Sequence, residues 1–381
     1  MIEKLNQAFT AHYEAVAEQV IRAPGRVNLI GEHTDYNKGF VLPCAVDYCT
    51  LVAISARDDN EVRVLSLDYS GETDSFHLNQ VILRLANPMW ANYIRGVVVA
   101  LQHRGHILCG ANIAVTGNVP RGAGLSSSAS LEIAVARALT GIAGLQLSPL
   151  ELAQVGQDAE NAFVGCHCGI MDQLVCASAT AGHALGIDCN DFSLTPVAIP
   201  EDLSIVIINS NVRRGLVDSE YNRRREQCEA AARYFNASSL RDVTLAQFNS
   251  GKRALDPVIA SRALHVLEEN ERTLAAIDAL RDNDIPALSH LMAASHRSMK
   301  ELFEITVAPI DFLVDTLDEL LGDDGGVRMT GGGFGGCVVA LVRSHRVEEV
   351  VAVVEQRYTA ATGLTESIYL TQPSEGVRRV S

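Results

Sequence analysis

Residues 117–130 read GNVPRGAGLSSSAS, with three glycines, four serines and a single charge, Arg121. Side chains this small let main-chain amides approach a polyphosphate, and Gly122 and Gly124 remove the last obstruction. The hydroxyls of Ser126, Ser127 and Ser128 can donate to phosphate or ligate Mg²⁺. No lysine follows the glycines, so this is not a Walker A loop, and it lacks the third glycine of a dinucleotide fingerprint. A tight strand-to-helix turn with a serine cap is the plainer alternative. A second cluster lies in GRVNLIGEHTDYN, where Arg26 precedes Glu32, His33 and Asp35, with Tyr36 and Asn37 before Gly39. A dense polar turn suits a sugar, whose many hydroxyls each need a partner, though it also suits an ordinary solvated turn. The third is Asp172, after the glycine turn in GCHCGIMDQL. It either projects from a helix start into a cleft or simply caps that helix. Cys166, His167 and Cys168 in the same stretch have poor spacing for zinc, because adjacent ligands strain a tetrahedral site.

These residues need elements to hold them. CGANIAVTGNVP reads as a strand running into the glycine loop, and SLEIAVARALTGIAGL beyond it as a helix with Leu131, Val135, Ala138 and Ile142 on one face. In SPLELAQVGQDAENAFVG, Ser148 is an N-cap, Pro149 the first helical residue and Glu151 the partner in a capping box. Leu152, Val155, Ala159 and Phe163 form that helix's buried stripe, and Gly165 ends it. TLVAISARDD and EVRVLSLD alternate as half-buried strands do. LSIVIINS, from Leu203, is apolar throughout and reads as a central strand covered on both faces. The stretch 218–235 is helical, and further helices fill 256–282. GGVRMTGGGFGGCVVALV gives strand, glycine turn, strand. Strands and helices are grouped rather than alternating, so the expected class is α+β. The expected domain boundary falls near 190–200, dividing the chain into 1–195 and 196–381.

Composition narrows the partners. The net charge is −15, from 46 acidic and 31 basic residues, which disfavours nucleic acid. The densest basic run, Asn222 to Gln227, reads as a solvated helix face. No apolar run approaches the ~18 residues needed to span a bilayer. The first twenty residues carry three glutamates and no apolar block, against a signal peptide. Nine cysteines without regular spacing fit free thiols in a reducing cytosol.

PRGAGLSSSAS resembles the second motif of the GHMP kinases, small-molecule kinases that bind ATP with such a loop. RMTGGGFGGCVVAL is similar to the family's third motif, and APGRVNLIGEHTDYN resembles the signature of its galactokinase branch. With NAFVGCHCGIMDQL and VIINSNVRRGLVDSEYNRRREQC, the resemblance covers essentially the whole chain. It implies a ribosomal-protein-S5-like N-terminal domain, a ferredoxin-like C-terminal domain and an active site in the cleft between them. The implied activity is ATP-dependent phosphorylation of the C1 hydroxyl of α-D-galactose, the first step of galactose utilisation. The implied partners are galactose and Mg-ATP, with no nucleic acid and no membrane, for a monomeric cytoplasmic enzyme. Carried over residue by residue, Asp172 is the general base with Arg26 beside it. Glu32, His33, Thr34, Asp35, Gly169 and Tyr221 bind the sugar, Asp35 and Tyr221 reading its C4 edge. Ser66, Gly122, Ala123, Gly124, Leu125, Ser126, Ser127 and Ser128 hold ATP, while Ser128 and Glu160 hold Mg²⁺. The glycines from Gly331 to Gly336 shape the cleft floor. Two alternatives remain: a kinase for a related sugar such as N-acetylgalactosamine or arabinose, and a galactose sensor without turnover. The intact GLSSSAS argues against the sensor.

Overall fold

The computed structural model describes residues 1–212 and 217–381. Residues 213–216, inside the stretch from Val206 to Cys228 quoted above, lie outside the described residues, as do the side chains of 217–219. Helix α1 (Ile2–Tyr13) precedes strands β1 (Gln19–Ile30), β2 (Phe40–Arg57), β3 (Glu61–Ser66) and β4 (Glu72–His77). Helix α2 (Trp90–His103) leads to β5 (Gly110–Gly117), followed by α3 (Ser127–Ile142), α4 (Pro149–Asp158) and α5 (Met171–Ser178). Strands β6 (His183–Asp188), β7 (Ser193–Ala198) and β8 (Leu203–Asn209) come next. Five helices then run in succession: α6 (Val217–Tyr234), α7 (Leu245–Gly251), α8 (Pro257–Arg281), α9 (Ile285–Ser298) and α10 (Ala308–Leu321). The chain closes with β9 (Gly325–Thr330), β10 (Cys337–Arg343), α11 (Val347–Thr362), β11 (Ser367–Thr371) and β12 (Arg378–Arg379).

The first sheet has the order β12-β1-β2-β5-β3-β4, with β6 on β2 and β7 on β6. Its β3–β5 pair is parallel and its other pairs are antiparallel. The second sheet, β11-β8-β10-β9, is antiparallel throughout. The grouping makes the fold α+β, as the pattern implied. The chain leaves the first sheet after Ala198 and enters the second at Leu203, while β12 returns to β1.

The long apolar run has its reason in the second sheet. Ile205 and Ile207 of β8 face a core shared with Val27, Leu29 and Leu42 of the first sheet and with α9. Val206 and Ile208 face an outer core with Cys228, Leu313 and Leu317. β8 is therefore buried on both sides, as expected. The strand at 50–57 is not half-buried as its alternation suggested. Leu51 and Ala53 pack under Leu5 and Phe9 of α1, while Val52 and Ile54 pack on the opposite face. The N-terminal helix covers the face that would otherwise meet solvent.

Helix α3 departs in the same way. Ile133, Ala134, Val135 and Leu139 are buried, whereas Leu131 and Ile142 of the expected stripe are only partly so. The helix lies between the first sheet and α2, α4 and α5, so more than one face is covered. The α4 capping box forms as read, with Ser148 accepting from the Glu151 N–H and Glu151 accepting from the Ser148 N–H. Beyond Asp158 the helix widens into a π turn over Ala159–Val164, closed by Gly165 at φ +92°. That extra residue per turn leaves Phe163 half-buried and turns Glu160 inward. Among the described residues no helix is long and apolar enough to cross a membrane.

Candidate active site

The glycine loop joins β5 to α3, where the first N–H groups of a helix have no partner within it. Gly122 and Gly124 take φ of +70° and +72°, conformations a side chain disfavours. The loop is held from beneath. The Arg26 N–H donates to the Leu125 carbonyl at 3.1 Å, Arg26 Nη1 to the Gly124 carbonyl at 2.5 Å, and the Cys337 thiol to the Ala123 carbonyl at 2.7 Å.

Asp172 occupies the first turn of α5 and meets Arg26 of β1, 146 positions away in sequence. Arg26 Nε donates to Oδ1 at 2.7 Å and Nη2 to Oδ2 at 2.5 Å, a two-pronged pair. The Ser126 hydroxyl also donates to Oδ2. Burial works against the Arg26 charge, but the Asp172 carboxylate outweighs it and its pKa rises. The Asp172 side chain is 24% exposed, so it still opens into the cleft.

That cleft, a cavity of about 260 Å³, is lined by Glu32, His33, Asp35, Gly169 and Tyr221 as well as by Arg26, Asp172 and the glycine loop. Asp35 and Gly169 are in close approach, for a Cβ on Gly169 would lie 1.9 Å from Asp35 Oδ2. Burial, reinforced by the nearby Asp172 charge, pushes the Asp35 carboxyl up to about 7. Glu32 is buried and accepts from Arg328 Nη2 at 2.7 Å and from the Gly331 N–H at 3.2 Å. Burial raises its pKa and Arg328 opposes that rise. His33 Nδ1 is 2.8 Å from the Tyr36 hydroxyl, and its ring lies 5.1 Å from Tyr221 and 4.8 Å from Phe303. Burial lowers its pKa to about 3, so the ring is neutral at pH 7. Tyr221 is pushed well above the ordinary phenol range by burial and by Asp35.

Ser128 and Glu160 also line the cleft, with the Ser128 hydroxyl hydrogen-bonded to the Glu160 carboxylate. The Glu160 carboxylate accepts from Gln173 Nε2 at 2.6 Å, and the Cys168 thiol lies 3.5 Å away. Burial and Asp172 push its pKa upward. Hard oxygen donors of this kind fit Mg²⁺, which takes one or two protein ligands and completes its shell with water and phosphate. Among the described residues no three His, Cys, Asp or Glu side chains gather into a protein-only metal cage. Past Ser127 and Ser128 a second cavity opens, lined by Ser66, Asp68, Tyr69, Trp90, Tyr93 and Arg121. Tyr69 and Trp90 lie 6.0 Å apart at 22°, and the Arg121 guanidinium sits 4.3 Å from the Tyr69 ring centre. A cavity with an aromatic wall beside a phosphate loop suits a nucleotide base.

Comparison with known proteins agrees with this arrangement. Residues 7–56 match the galactokinase galactose-binding signature, 92–180 the GHMP kinase N-terminal domain and 276–360 the GHMP kinase C-terminal domain. The crystal structure of Lactococcus lactis galactokinase complexed with galactose superimposes with a TM-score of 0.93 at 32% identity, over 99% of each chain. The chain belongs to the galactokinases of the GHMP kinase family. The wider family shares the fold at lower identity. Methanococcus jannaschii mevalonate kinase aligns at TM-score 0.64 and 18% identity, over 93% of this chain and 98% of its own. Cytophaga hutchinsonii homoserine kinase aligns at 0.60 and 16%, over 95% and 97%. As a GHMP kinase the protein uses ATP. Most of α8, up to Ala275, lies between the matched segments.

Thr34, expected to touch the sugar, keeps its side chain away from the cleft. It is fully buried, with its hydroxyl 2.6 Å from the Phe40 carbonyl and 3.0 Å from that of Gly31, and closes the turn. The Ala123 methyl is buried in the core beside Leu125 and can offer a ligand only its main chain. Other participants escaped the sequence reading. Glu132 of α3, fully buried, shares Gln173 Nε2 with Glu160, and burial followed by the Glu160 charge drives its pKa well up. Arg328 sits inside the third motif but reads there as one more strand residue. Tyr69 and Trp90 had one visible signal, the single tryptophan of the chain at a helix start.

Proposed function

We propose that the cleft transfers the γ-phosphoryl group of ATP to the C1 hydroxyl of α-D-galactose. The observation that carries this is the position of the Arg26–Asp172 pair at the seam between the polar turn and the glycine loop. Phosphoryl transfer passes through a loose transition state, so the protein's task is positioning and charge stabilisation. Asp172 is fixed by Arg26 and Ser126, which together fill both lone pairs of Oδ2, yet Oδ1 accepts from Arg26 alone and keeps a lone pair for the sugar hydroxyl, whose proton it accepts. Arg26, paired to Asp172 and bonded to the loop through Gly124, balances charge on both sides of the moving group. The loop from Gly122 to Ser128 cradles the phosphates and the cavity walled by Tyr69 and Trp90 takes the base. Ser128 and Glu160 would hold Mg²⁺, which when bound neutralises charge on the phosphates. Asp35 and Tyr221, from opposite lobes, read the C4 hydroxyl that distinguishes galactose from glucose. An unpaired polar group in the site then rejects the epimer by as much as ~10⁴-fold.

The test is ADP release with Mg-ATP across galactose, glucose, N-acetylgalactosamine, arabinose and 4-deoxygalactose. Galactose is expected to lead in kcat/KM. Asp35→Ala should lose far more with galactose than with 4-deoxygalactose, the second change of the cycle being made on the substrate. Equal losses with both sugars would remove Asp35 from C4 recognition.

A further inference from the structure

The turn that presents Glu32, His33 and Asp35 is closed from within by Thr34 and Asn37, but it is also braced from outside. It takes φ of +93° at Gly31, +60° at His33 and +56° at Lys38, and two of these residues carry a Cβ that disfavours the conformation. Helix α8, packed against it from the other lobe, takes up the turn's main-chain groups. The N–H groups of Gly31 and Glu32 both donate to Glu269 Oε1, at 3.1 and 3.2 Å. One helical turn earlier, His265 Nε2 lies 3.2 Å from the Glu32 carbonyl, and its Nδ1 lies 2.8 Å from the Ser298 hydroxyl. A carbonyl can only accept, so Nε2 carries the proton and Nδ1 accepts from Ser298. At the far end of the turn the Phe40 N–H donates to Asn270 Oδ1 at 2.9 Å. The fit is tight, since a Cβ on Gly39 would lie 2.2 Å from Asn270 Oδ1.

We infer that Glu269, aided by His265 and Asn270, is a positioning residue for the acceptor sugar, setting where Glu32, His33 and Asp35 stand without touching the sugar itself. The inference rests on the assignment of this turn to the sugar. Glu269 is built as a fixed charge: it is 0% exposed, with Arg272 Nε 2.8 Å from Oε2 and the Ser295 hydroxyl 2.6 Å from Oε1. Burial alone would neutralise it, but Arg272 and its neighbours outweigh burial and hold the carboxyl at about 2. It is therefore ionised at any working pH, and an ionised acceptor binds two N–H groups more strongly than a neutral one. The glycine loop is held by other groups, Arg26 and Cys337. Loosening α8's grip should thus be felt on the sugar and not on ATP.

The experiment compares purified Glu269→Gln, His265→Phe and His265→Gln with the wild type. Wild-type turnover across the hexose panel comes first and decides the substrate reading by itself. The variants are then assayed with whichever sugar is turned over, so an error in the sugar's identity does not spare the clamp from its test. Glu269→Gln is expected to raise KM for the sugar about ten-fold, with KM for ATP within about two-fold and a narrower gap between sugar epimers. His265→Phe, similar in volume but without a donor, should do the same. His265→Gln should recover most of the loss, because its amide can donate to the Glu32 carbonyl. Should Glu269→Gln fail to fold, the His265 pair decides. Parallel rises in both KM values, unchanged sugar KM in folded variants, or no difference between His265→Gln and His265→Phe would each overturn the inference.

Discussion

On the proposed reading, the two halves of the cleft would solve recognition by different means. The glycine loop would meet its ligand with main chain and hydroxyls, and its geometry is set by φ at Gly122 and Gly124 together with the bonds from Arg26 and Cys337 beneath it. The polar turn would meet its ligand with carboxylates and a ring whose charge is set by burial and by partners on distant elements. Glu32 depends on Arg328 of β9, and the turn's backbone depends on Glu269 of α8. A phosphate tail is a uniform anion, for which amides and a metal suffice. A hexose differs from its epimer by the direction of one hydroxyl, so its acceptors must be held to within a fraction of an ångström. Main-chain recognition needs its loop only to be held from beneath, whereas this kind of side-chain recognition needs the charge state of each group to be set as well.

The largest expected effect lies at the seam between the halves. Asp172→Asn should lower kcat by at least ~10²-fold with the fold retained by circular dichroism, the usual scale for a general base. Near-wild-type kcat in folded protein would move the proton's acceptor elsewhere.

Paired glycine substitutions test the contrast itself. Gly169→Ala places a methyl where Asp35 Oδ2 now stands, whereas a Cβ on Gly122 meets nothing within 4 Å. Gly169→Ala should therefore cut kcat/KM for galactose by roughly 10²-fold, the scale of a 1 Å misplacement. Gly122→Ala carries only backbone strain and should change KM for ATP by roughly several-fold. Similar losses in the two variants would erase the distinction. The aromatic wall is the next step down. Tyr69→Ala should raise KM for ATP by about ten-fold through lost stacking while leaving KM for galactose in place.

The smallest effect is on stability. The folded Asp35 carboxyl is held at about 7, above its ordinary value of 3.8, because burial and Asp172 disfavour its charge. Below about pH 3 it is protonated in both the folded and unfolded states and has no influence. As pH rises from there the unfolded chain releases the proton first, so stability is lost until the folded group ionises near 7. Asp35→Asn should accordingly raise Tm by roughly 2 °C at about pH 8 and leave it unchanged at about pH 3. Scanning calorimetry at the two values checks this. An equal gain at both would mean that Asp35 is not the strained charge.

Features governed by a few neighbouring residues were legible from the sequence alone. The Ser148–Glu151 box, the strand–turn–strand at 325–343 and the strand-to-helix glycine loop each depend on geometry closed within one or two turns of chain. The apolar run at 203–209 was also legible, because a strand buried on both faces has no polar side to mark. Motif resemblance then supplied Asp172 and Arg26 as partners, although no period or spacing joins positions so far apart.

Tertiary structure decided the rest. It put α1 over the strand at 50–57, engaged the Thr34 hydroxyl with backbone carbonyls and brought Tyr69 beside Trp90. It also set the charge of Asp35, and gave Glu269 two main-chain N–H groups 237 and 238 positions away. The physical reason is common to all of these. A side chain's charge state and hydrogen-bond partners follow from desolvation and from whatever charge lies within a few ångströms. Both are properties of packing between elements distant in sequence, and a local pattern of residues does not encode them.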